Sequence, residues 1–428
     1  MNLSLLQNRN FVMFLTRESL MLSGTIFIQI SLALYTLSLT GSAGKFASVL
    51  AIGIIPHLLL GTFAGVLVDR INKRNLLLLL DVIRGGYLLI LFAYSLFEPI
   101  DLILIYVTVI VFAACDLFVA PAFGTMLQSI VAKDDLMNAN ALDVTVVESV
   151  RVLAPLLGTI VYSTWGLGAV LLVNVCTTFL SAIATGMIRV KEAIPHHHNT
   201  TILQDARKGL QVFVRNPRIS SLVLNGILTH IFLFPFVMVG FPYMIKQIFM
   251  GSDVDFGIVE SAQMAGSLCS ILLVAFFMKR YSISANIGLG IVGMIAAVFP
   301  LFLLKLPLFV SWMHALPTLV VVFFSGVSFL LFLMFGTYGV FFRTFYQQTV
   351  ETAMLGRFLS VMAMLFAIGR FAGFHIFGFL FDFTDLLYPI MILGIGMVLK
   401  LIVHVPFLSE EKRLAIERRS TDSPLQDR

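Results

Sequence analysis

Charged residues are scarce in this chain, at 12% of its 428 positions, whereas soluble domains carry about 25%. Hydrophobic residues make up 59% of the sequence. A chain with this composition cannot cover a soluble fold with polar side chains, so we expect an integral membrane protein. The longest polar connection is roughly 30 residues long, which is too short to fold alone. Function must therefore lie within the membrane.

Cysteines and catalytic motifs are also missing. Only three cysteines occur, in separate apolar runs and without CxxC spacing, which argues against a disulfide framework or a zinc site. HExxH, GxSxG and GxGD motifs are absent, so we expect no enzyme, no cofactor and no metal. The net charge of +5 is dispersed over short loops. That dispersion excludes nucleic acid as an expected partner.

Long apolar runs make up most of what is present. A hydrocarbon core of ~30 Å is crossed by about 20 helical residues, and a helix satisfies its own backbone in lipid. We therefore predict an all-α integral membrane fold. Cutting the chain at charged and Pro/Gly/Asn clusters gives twelve spans, at 11–37, 45–68, 75–96, 102–127, 142–165, 167–188, 218–245, 256–278, 284–304, 316–345, 356–381 and 386–407.

The distribution of Arg and Lys gives the topology. An even number of spans places both termini on one side, and the cationic loops concentrate there. By the positive-inside rule that side is the cytoplasm of a multi-pass protein in the cell membrane. The predicted parts are an N-terminal six-helix bundle at 1–188, a cytoplasmic connector with a surface helix at 189–217, a C-terminal six-helix bundle at 218–407 and a cytoplasmic tail at 408–428.

The two bundles carry traces of an internal repeat. A shift of 219 positions superimposes identical residues of the fourth and fifth spans on the tenth and eleventh, and makes Arg370 the counterpart of Arg151. Two parallel six-helix repeats are one known construction of secondary transporters.

Three motifs carry a resemblance to a known family. The loop GVLVDRINKR, from Gly65 to Arg74, resembles the G-x-x-x-D-R-x-x-x-R loop of the major facilitator superfamily. APLLG, from Ala154 to Gly158, resembles the G-P-x-x-G motif of its antiporter branches. The runs APAFGTMLQSIVAKDDLMNANAL and QQTVETAMLGRF resemble macrolide-efflux drug:proton antiporters. The resemblance implies the major facilitator fold, with two six-helix repeats.

The resembling loop implies a gating latch, in which Asp69 faces the positive N-terminus of another helix. The latch residues are Gly65, Asp69, Arg70, Lys73 and Arg74. The alternative is a loop that only sets topology. In the fifth span, we expect Pro155 and Gly158 to bend and tightly pack the helix, either to block leaks or for structural reasons alone.

Ionisable side chains inside spans cost about 2.5 to 3.5 kcal/mol each and point to function. Five of them fall in the inner half of the first bundle. We expect Asp116 and Glu148 to carry protons and Arg151 to set their affinity, with Glu18 and Arg17 as further members. Glu148 can pair with Arg151, and a residue of the first span with Asp116. The alternative is an ion-pair network that only fixes packing.

Two further groups of residues complete the predicted sites. Asp81 and Arg84, at the start of the third span, are expected to anchor that end near the latch. In the resembling family the first, fourth, seventh and tenth spans line the cavity, and the last two are rich in Phe and Met here. The residues expected to line a substrate cavity are Phe234, Phe236, Met238, Phe332, Phe335, Tyr338 and Arg370.

These features lead us to expect a monomeric, proton-coupled exporter of small amphipathic compounds of the drug or macrolide type. It would alternate access by rocking its two bundles, with protons and membrane lipids as partners. A flippase of lipids or lysolipids is the alternative within transport. A non-transporting membrane receptor is the alternative outside it.

Overall fold

The computed structural model describes residues 3–132, 135–189, 211, 213 and 216–422, which are helical apart from short connections. No strand occurs in this part of the chain. Apart from the single turn Phe241–Tyr243, the α-helices are α1 (Arg9–Thr40), α2 (Ala43–Ile52), α3 (Ile55–Arg70), α4 (Lys73–Ser95), α5 (Leu102–Ile130), α6 (Leu136–Met187), α7 (Pro217–Leu228), α8 (Asp253–Phe277), α9 (Ile283–Val298), α10 (Pro307–Ala315), α11 (Pro317–Thr349), α12 (Thr352–Phe383) and α13 (Leu387–Asp422).

The number of membrane spans agrees with the sequence. Among the described residues, eleven helical segments are long and apolar enough to cross a membrane. One of them, Asn138–Met187, is long enough for two crossings. It is divided at Gly166, whose φ of 75° and ψ of −176° are not helical. A side chain is strained at that φ, so glycine is the residue that allows the break. The predicted all-α fold of twelve spans is confirmed.

Polar residues at the helix starts explain several boundaries. Asn8 accepts hydrogen bonds from the backbone N–H groups of Asn10 and Phe11 at the start of α1. Asn72 accepts one from Asn75 and so begins α4 directly after α3. These side chains satisfy N–H groups that have no partner in the first helical turn.

Two predicted spans differ from the structure. The second is two helices, α2 and α3, because Pro56 has no N–H to donate to the carbonyl of Ile52. The twelfth continues past 407, through Pro406, to Asp422. Glu410 and Arg413 form an i,i+3 ion pair at 2.7 Å within this extension. The predicted tail therefore begins as helix.

The seventh span is irregular over most of its length. After α7 the chain passes through three π-helical turns, Thr229–Leu233, Phe236–Gly240 and Met244–Ile248. Pro235 and Pro242 lie among them and remove N–H groups from the helical ladder. π-turns inside helices are frequent at functional sites.

The chain separates into two compact units. The first is Met1–Asn199 together with Phe241–Ser261, and the second is Thr200–Gly240 together with Ala262–Arg428. In the first unit, α1 packs along α6, and Gln247 donates a hydrogen bond to the carbonyl of Leu37 at 3.3 Å. The part of the seventh span that begins at Phe241 thus packs with the first unit.

The first unit has two apolar clusters. One surrounds Phe14, which stacks on Phe123 with ring centroids 4.0 Å apart. The other contains Ile28 and Val170. Along α1, Arg17 and Glu18 lie between the residues that contribute to the two clusters.

The connector prediction is accessible only in part. The surface helix expected within 189–217 falls mostly outside the described residues. Of the described ones, Phe213 is buried and stacks on Phe358, with ring centroids 4.9 Å apart. This contact fixes the end of the connector on α12.

Candidate functional site

A buried ion pair joins three helices of the first unit. Arg17 of α1 lies 3.1 Å from Asp81 of α4, and both side chains are at most 2% exposed. The other oxygen of Asp81 accepts hydrogen bonds from Ser181 at 3.0 Å and Thr185 at 3.1 Å, both on α6. The guanidinium also lies over the Phe123 ring. Because the carboxylate is fully satisfied, this pair is suited to holding the helices together.

A second ion pair lies one turn further along α4. Arg84 donates to Asp116 of α5 at 2.6 Å and to the hydroxyl of Thr25 at 3.1 Å. Its guanidinium carbon is 4.2 Å from the centroid of the Phe112 ring. The predicted partner of Asp116 was a residue of the first span, and this was wrong. Arg17 is held by Asp81, and Arg84 reaches Asp116 instead.

Sequence reasoning missed the role of this face of α4. Asp81 and Arg84 are three residues apart, so they share one helical face and each can meet a different neighbouring helix. The spacing was visible in the sequence. Their partners were not, because only the packing of α1, α4 and α5 determines which charges meet.

Glu148 and Arg151 pair with each other as expected. Their side chains are 3.7 Å apart along α6, and 34% and 47% exposed. At that exposure the pair contributes about 0 to 1 kcal/mol to stability. Both residues are therefore free to change partners at little cost.

Two carboxylates from different helices meet in the first unit. Glu18 of α1 interacts directly with the side chain of Asp143 of α6, and Arg17 and Arg151 lie close enough to act on Glu18 electrostatically. Glu18 Oε2 and Asp143 Oδ1 are both buried and have no hydrogen-bond partner among the described residues. A buried, unsatisfied carboxylate pair is unfavourable unless a proton or a cation lies between the oxygens.

Asp143 was not among the predicted site residues. A signal for it existed, because Asp143 and Arg151 are eight residues apart and so share a face of one helix. Its contact with Glu18 depends on the packing of α6 against α1, which the sequence does not give.

The predicted latch is described only in part. The structure describes the backbone but not the side chains of Gly65, Asp69 and Arg70. Arg74 donates to the carbonyl oxygen of Thr185 at 3.3 Å and to that of Gly186. These are among the last carbonyls of α6, where a cation compensates the negative end of the helix. Lys73 is half-buried at the start of α4.

The predicted bend at Pro155 is not the point where α6 departs from helical geometry. Pro155 is buried, and the only residue of α6 with non-helical dihedral angles is Gly166, eleven positions later. At Gly158 a Cβ atom would lie 3.2 Å from the Phe27 ring. This glycine therefore allows the close approach of α1 and α6.

Aromatic side chains form a continuous cluster in the second unit. The ring of Phe234 meets that of Phe335 edge to face at 5.1 Å, and Phe332 lies 5.7 Å from Phe335. Tyr338 continues the series at 6.3 Å. The guanidinium of Arg370, on α12, lies 5.4 Å from the Phe234 centroid. These five predicted cavity residues are brought together.

Phe236 and Met238 do not join this aromatic cluster. Phe236 is fully buried and packs on Phe377 and Phe381, each with centroids 5.6 Å away. Positions two apart on a helix point in nearly opposite directions, which separates Phe236 from Phe234. Met238 is 39% exposed.

A buried lysine adjoins the aromatic cluster. Lys400 of α13 is 0% exposed and donates to the hydroxyl of Thr229 at 2.5 Å. Its ammonium lies 4.7 Å from the centroid of the Tyr338 ring. Asn225 links the same residues, since it donates to the Lys400 carbonyl at 2.7 Å and accepts from the Tyr338 hydroxyl at 3.3 Å. The sequence analysis assigns Lys400 no role.

The described residues contain no group of three or more His, Cys, Asp or Glu side chains that could hold a metal ion. The described cysteines are free, and Cys176 is exposed.

Comparison with known proteins agrees with this architecture. The family model for the Major Facilitator Superfamily matches residues 11–414. The macrolide efflux protein A of Streptococcus pyogenes is 21% identical over 410 residues, which cover 94% of this chain and 96% of that protein. The macrolide efflux protein A of Enterococcus faecalis is 23% identical over 327 residues, covering 74% and 95%.

A bacterial homologue of the iron transporter ferroportin, solved in an inward-facing state, has the same fold. Its TM-score is 0.75 at 13% identity, with 93% of this chain and 98% of that chain covered. The nucleoside transporter NupG has a TM-score of 0.64 at 16% identity, with 96% and 99% covered. The chain therefore belongs to the Major Facilitator Superfamily and is a transporter.

Proposed function

We propose that this protein exports small amphipathic compounds in exchange for protons, by alternating access. The observation that carries the proposal is the contact between Glu18 and Asp143 within the membrane-spanning part of the first unit. Two buried carboxylates side by side are stable when they share a proton and repel when they do not. A change in the packing of α1 on α6 would therefore take up or release that proton.

The residues around the pair support this assignment. Arg17 is held by Asp81, and its charge lies in a fixed place beside Glu18. Arg151 is only weakly bound to Glu148 and can approach or leave the carboxylate pair. Asp116 is neutralised by Arg84 at 2.6 Å. Asp116 and Glu148 remain proposed members of the proton pathway, with Glu18 and Asp143 at its centre.

The aromatic cluster of the second unit supports an amphipathic substrate. Phe234, Phe332 and Phe335 offer apolar faces, which accept varied shapes without requiring one hydrogen-bond pattern. The macrolide efflux proteins similar to this chain agree with export of such compounds. The Arg and Lys distribution supports a cell-membrane protein with cytoplasmic termini.

A groove on the second unit favours one alternative, the transport of lipids or lysolipids. It has a volume of about 480 Å³ and an almost wholly apolar lining that includes Val298, Phe302 and Met397. An acyl chain could lie in such a groove, since ligand pockets have volumes of ~300 to 1,000 Å³.

Proton flux in proteoliposomes tests the proposed function. The protein is reconstituted with a pH-sensitive dye inside, and cationic drugs, macrolides, acidic amphipaths and lysolipids are added in turn. We expect at least one non-lipid amphipath to drive proton movement above that of protein-free vesicles. Proton flux with lysolipids alone would support the flippase. Substrate movement without proton flux would contradict proton coupling.

A further inference from the structure

The second unit is almost free of acidic residues at membrane depth. From Pro217 to Gly240 and from Ala262 to Phe381 the sequence contains one, Glu351, which lies at the start of α12. Leu386 to Ser409 contains none. Basic and imidazole side chains do occur inside the helices, among them His230, Arg343, Arg370, His375, Lys400 and His404. Apart from α8, which carries Glu260 in the part that belongs to the first unit, the helices of this unit therefore carry positive charge without a compensating carboxylate.

Most of these side chains have a partner of their own. Lys400 donates to Thr229 at 2.5 Å, and His404 Nε2 lies 3.0 Å from the carbonyl of Ser284. His230 Nδ1 donates to the carbonyl of Gly226, and His375 Nδ1 to that of Phe371, both at 2.9 Å. Arg343 is exposed. These groups are satisfied without a ligand.

Arg370 is the exception. It lies in the middle of α12, its Nε is buried, and that atom has no hydrogen-bond partner among the described residues. The described part of the chain provides it with no ion pair either. Its guanidinium lies over the face of Phe234, at 5.4 Å from the guanidinium carbon to the ring centroid. An unpaired guanidinium inside a membrane protein is costly and marks a site of interaction.

The surroundings of Arg370 have the form of a binding subsite. Phe234 contacts Phe335 at 5.1 Å and His230 at 5.0 Å, and His230 stacks on Phe366 at 4.3 Å. The guanidinium thus borders an aromatic surface. Such a surface can hold the apolar body of a ligand while the N–H groups of Arg370 bind its polar end.

We propose that Arg370 and the aromatic cluster recognise the anionic group of an amphipathic substrate, a carboxylate or a phosphate monoester. The planar guanidinium matches these groups with two parallel hydrogen bonds, and no acid among the described residues forms an ion pair with it. The substrate class so defined rests on the proposed function. The carried compound is an organic acid with an aromatic or aliphatic body.

A binding experiment tests this proposal with the full chain in detergent. Radiolabelled naphthylacetate is the probe, and unlabelled naphthylacetate and naphthylacetamide compete with it. The two compounds have the same apolar body and differ in the charge of one group. We expect the amide to compete at least ~10-fold more weakly, which is the range of a hydrogen bond to a charged group. Equal competition, or no binding of naphthylacetate, would overturn the proposal.

Three variants locate the effect. We expect Arg370→Gln to weaken naphthylacetate binding by ~10-fold or more and to leave the weak binding of the amide unchanged. Arg370→Lys keeps the positive charge but lacks the two parallel N–H donors of the guanidinium, so it should give an intermediate loss of naphthylacetate binding. Arg343→Gln, which removes an exposed arginine, is the matched control and should change neither. A parallel loss of both compounds in Arg370→Gln and Arg370→Lys would show that Arg370 only packs against Phe234.

Further competitors separate the two sources of the anion. Displacement by lysophosphatidic acid but not by lysophosphatidylcholine would indicate a lipid, and stronger displacement by soluble aryl carboxylates a soluble compound. The result is independent of proton coupling. Selective binding of the carboxylate without proton-driven export would contradict the proposed function alone. Export of cationic and neutral amphipaths without carboxylate binding would contradict this inference alone.

Discussion

Glu18 and Asp143 come from helices α1 and α6 and meet side by side, with buried oxygens Oε2 and Oδ1 that have no hydrogen-bond partner in the described part of the chain. Nearby, Arg17 and Asp81 form a pair that is at most 2% exposed and fully bonded on the acid side. The two arrangements lie on neighbouring residues of α1. The carboxylate of Asp81 is fully hydrogen-bonded by the protein, whereas the Glu18–Asp143 pair needs a proton.

The Arg17–Asp81 pair should stabilise the fold. Asp81→Asn leaves Arg17 as an uncompensated buried charge, so we expect the free energy of unfolding to fall by about 3 to 5 kcal/mol. Thermal unfolding of the purified protein measures the change. Glu148→Gln breaks a partly exposed pair and should change stability by less than ~1 kcal/mol. If both variants unfold at the wild-type temperature, the Arg17–Asp81 pair does not hold these helices together.

Lys400 should be replaceable by an apolar residue of similar length. Lys400→Met removes a buried cation and its bond to Thr229, so we expect stability equal to or above the wild type, since apolar replacements of buried charges are often neutral or stabilising by ~1 to 4 kcal/mol. Lys400→Ala leaves a cavity and should cost about 2 to 5 kcal/mol. Melting curves of the two variants distinguish them. Equal destabilisation by both would mean that the ammonium itself is required.

Arg74 should stabilise the C-terminal end of α6 even without a gating role. Arg74→Ala removes hydrogen bonds to the carbonyls of Thr185 and Gly186, and we expect a loss of about 1 to 3 kcal/mol in the free energy of unfolding.

Asp69→Asn should leave folding unchanged and slow transport, if Asp69 faces a helix N-terminus as the resembling loop implies. Spin-label distances between the two units, with transport rates, check the latch. Unchanged distances and rates in Asp69→Asn would leave only the structural role of Arg74.

Asp385, just before the start of α13, should make a contribution to stability that depends on pH in the acid range. The backbone N–H of Leu387 and then Lys305 hold the pKa of Asp385 below its ordinary value of 3.8. A depressed pKa means that the carboxylate stabilises the fold above the unfolded value, and that this contribution is lost as pH falls through the folded value. Asp385→Asn should therefore lower the melting temperature slightly at neutral pH and flatten its acid dependence below pH ~4. Both residues are exposed, so the effect is small. An unchanged acid limb would mean that Asp385 makes no such contribution.

Much of the fold was predictable because lipid leaves the backbone few choices. Apolar runs, the charged and Pro/Gly/Asn clusters between them and the motif around Asp69 were enough to predict twelve helices and the superfamily. The break at Pro56 was also predictable from the sequence, because a proline inside a helix lacks the backbone N–H that the helical hydrogen bonds require. The division of α6 at Gly166 fell between two predicted spans.

The pairing of charges was less predictable. Spacing along one helix correctly gave Glu148 with Arg151, because i,i+3 neighbours meet whatever the rest of the fold does. Asp116 with Arg84 and Glu18 with Asp143 depend on how separate helices rotate and shift against one another. The misplacement of Phe236 was avoidable, since positions two apart on a helix do not face the same side and the sequence shows that spacing from Phe234.

The central claim is that the Glu18–Asp143 pair carries the coupling proton. The most direct measurement compares two transport modes in proteoliposomes containing Glu18→Gln or Asp143→Asn. We predict that both variants of the pair lose uphill export driven by a pH gradient and retain downhill exchange, because exchange needs a reorienting site but no proton cycle. Stable Glu18→Gln and Asp143→Asn proteins that still export against a gradient would contradict the account.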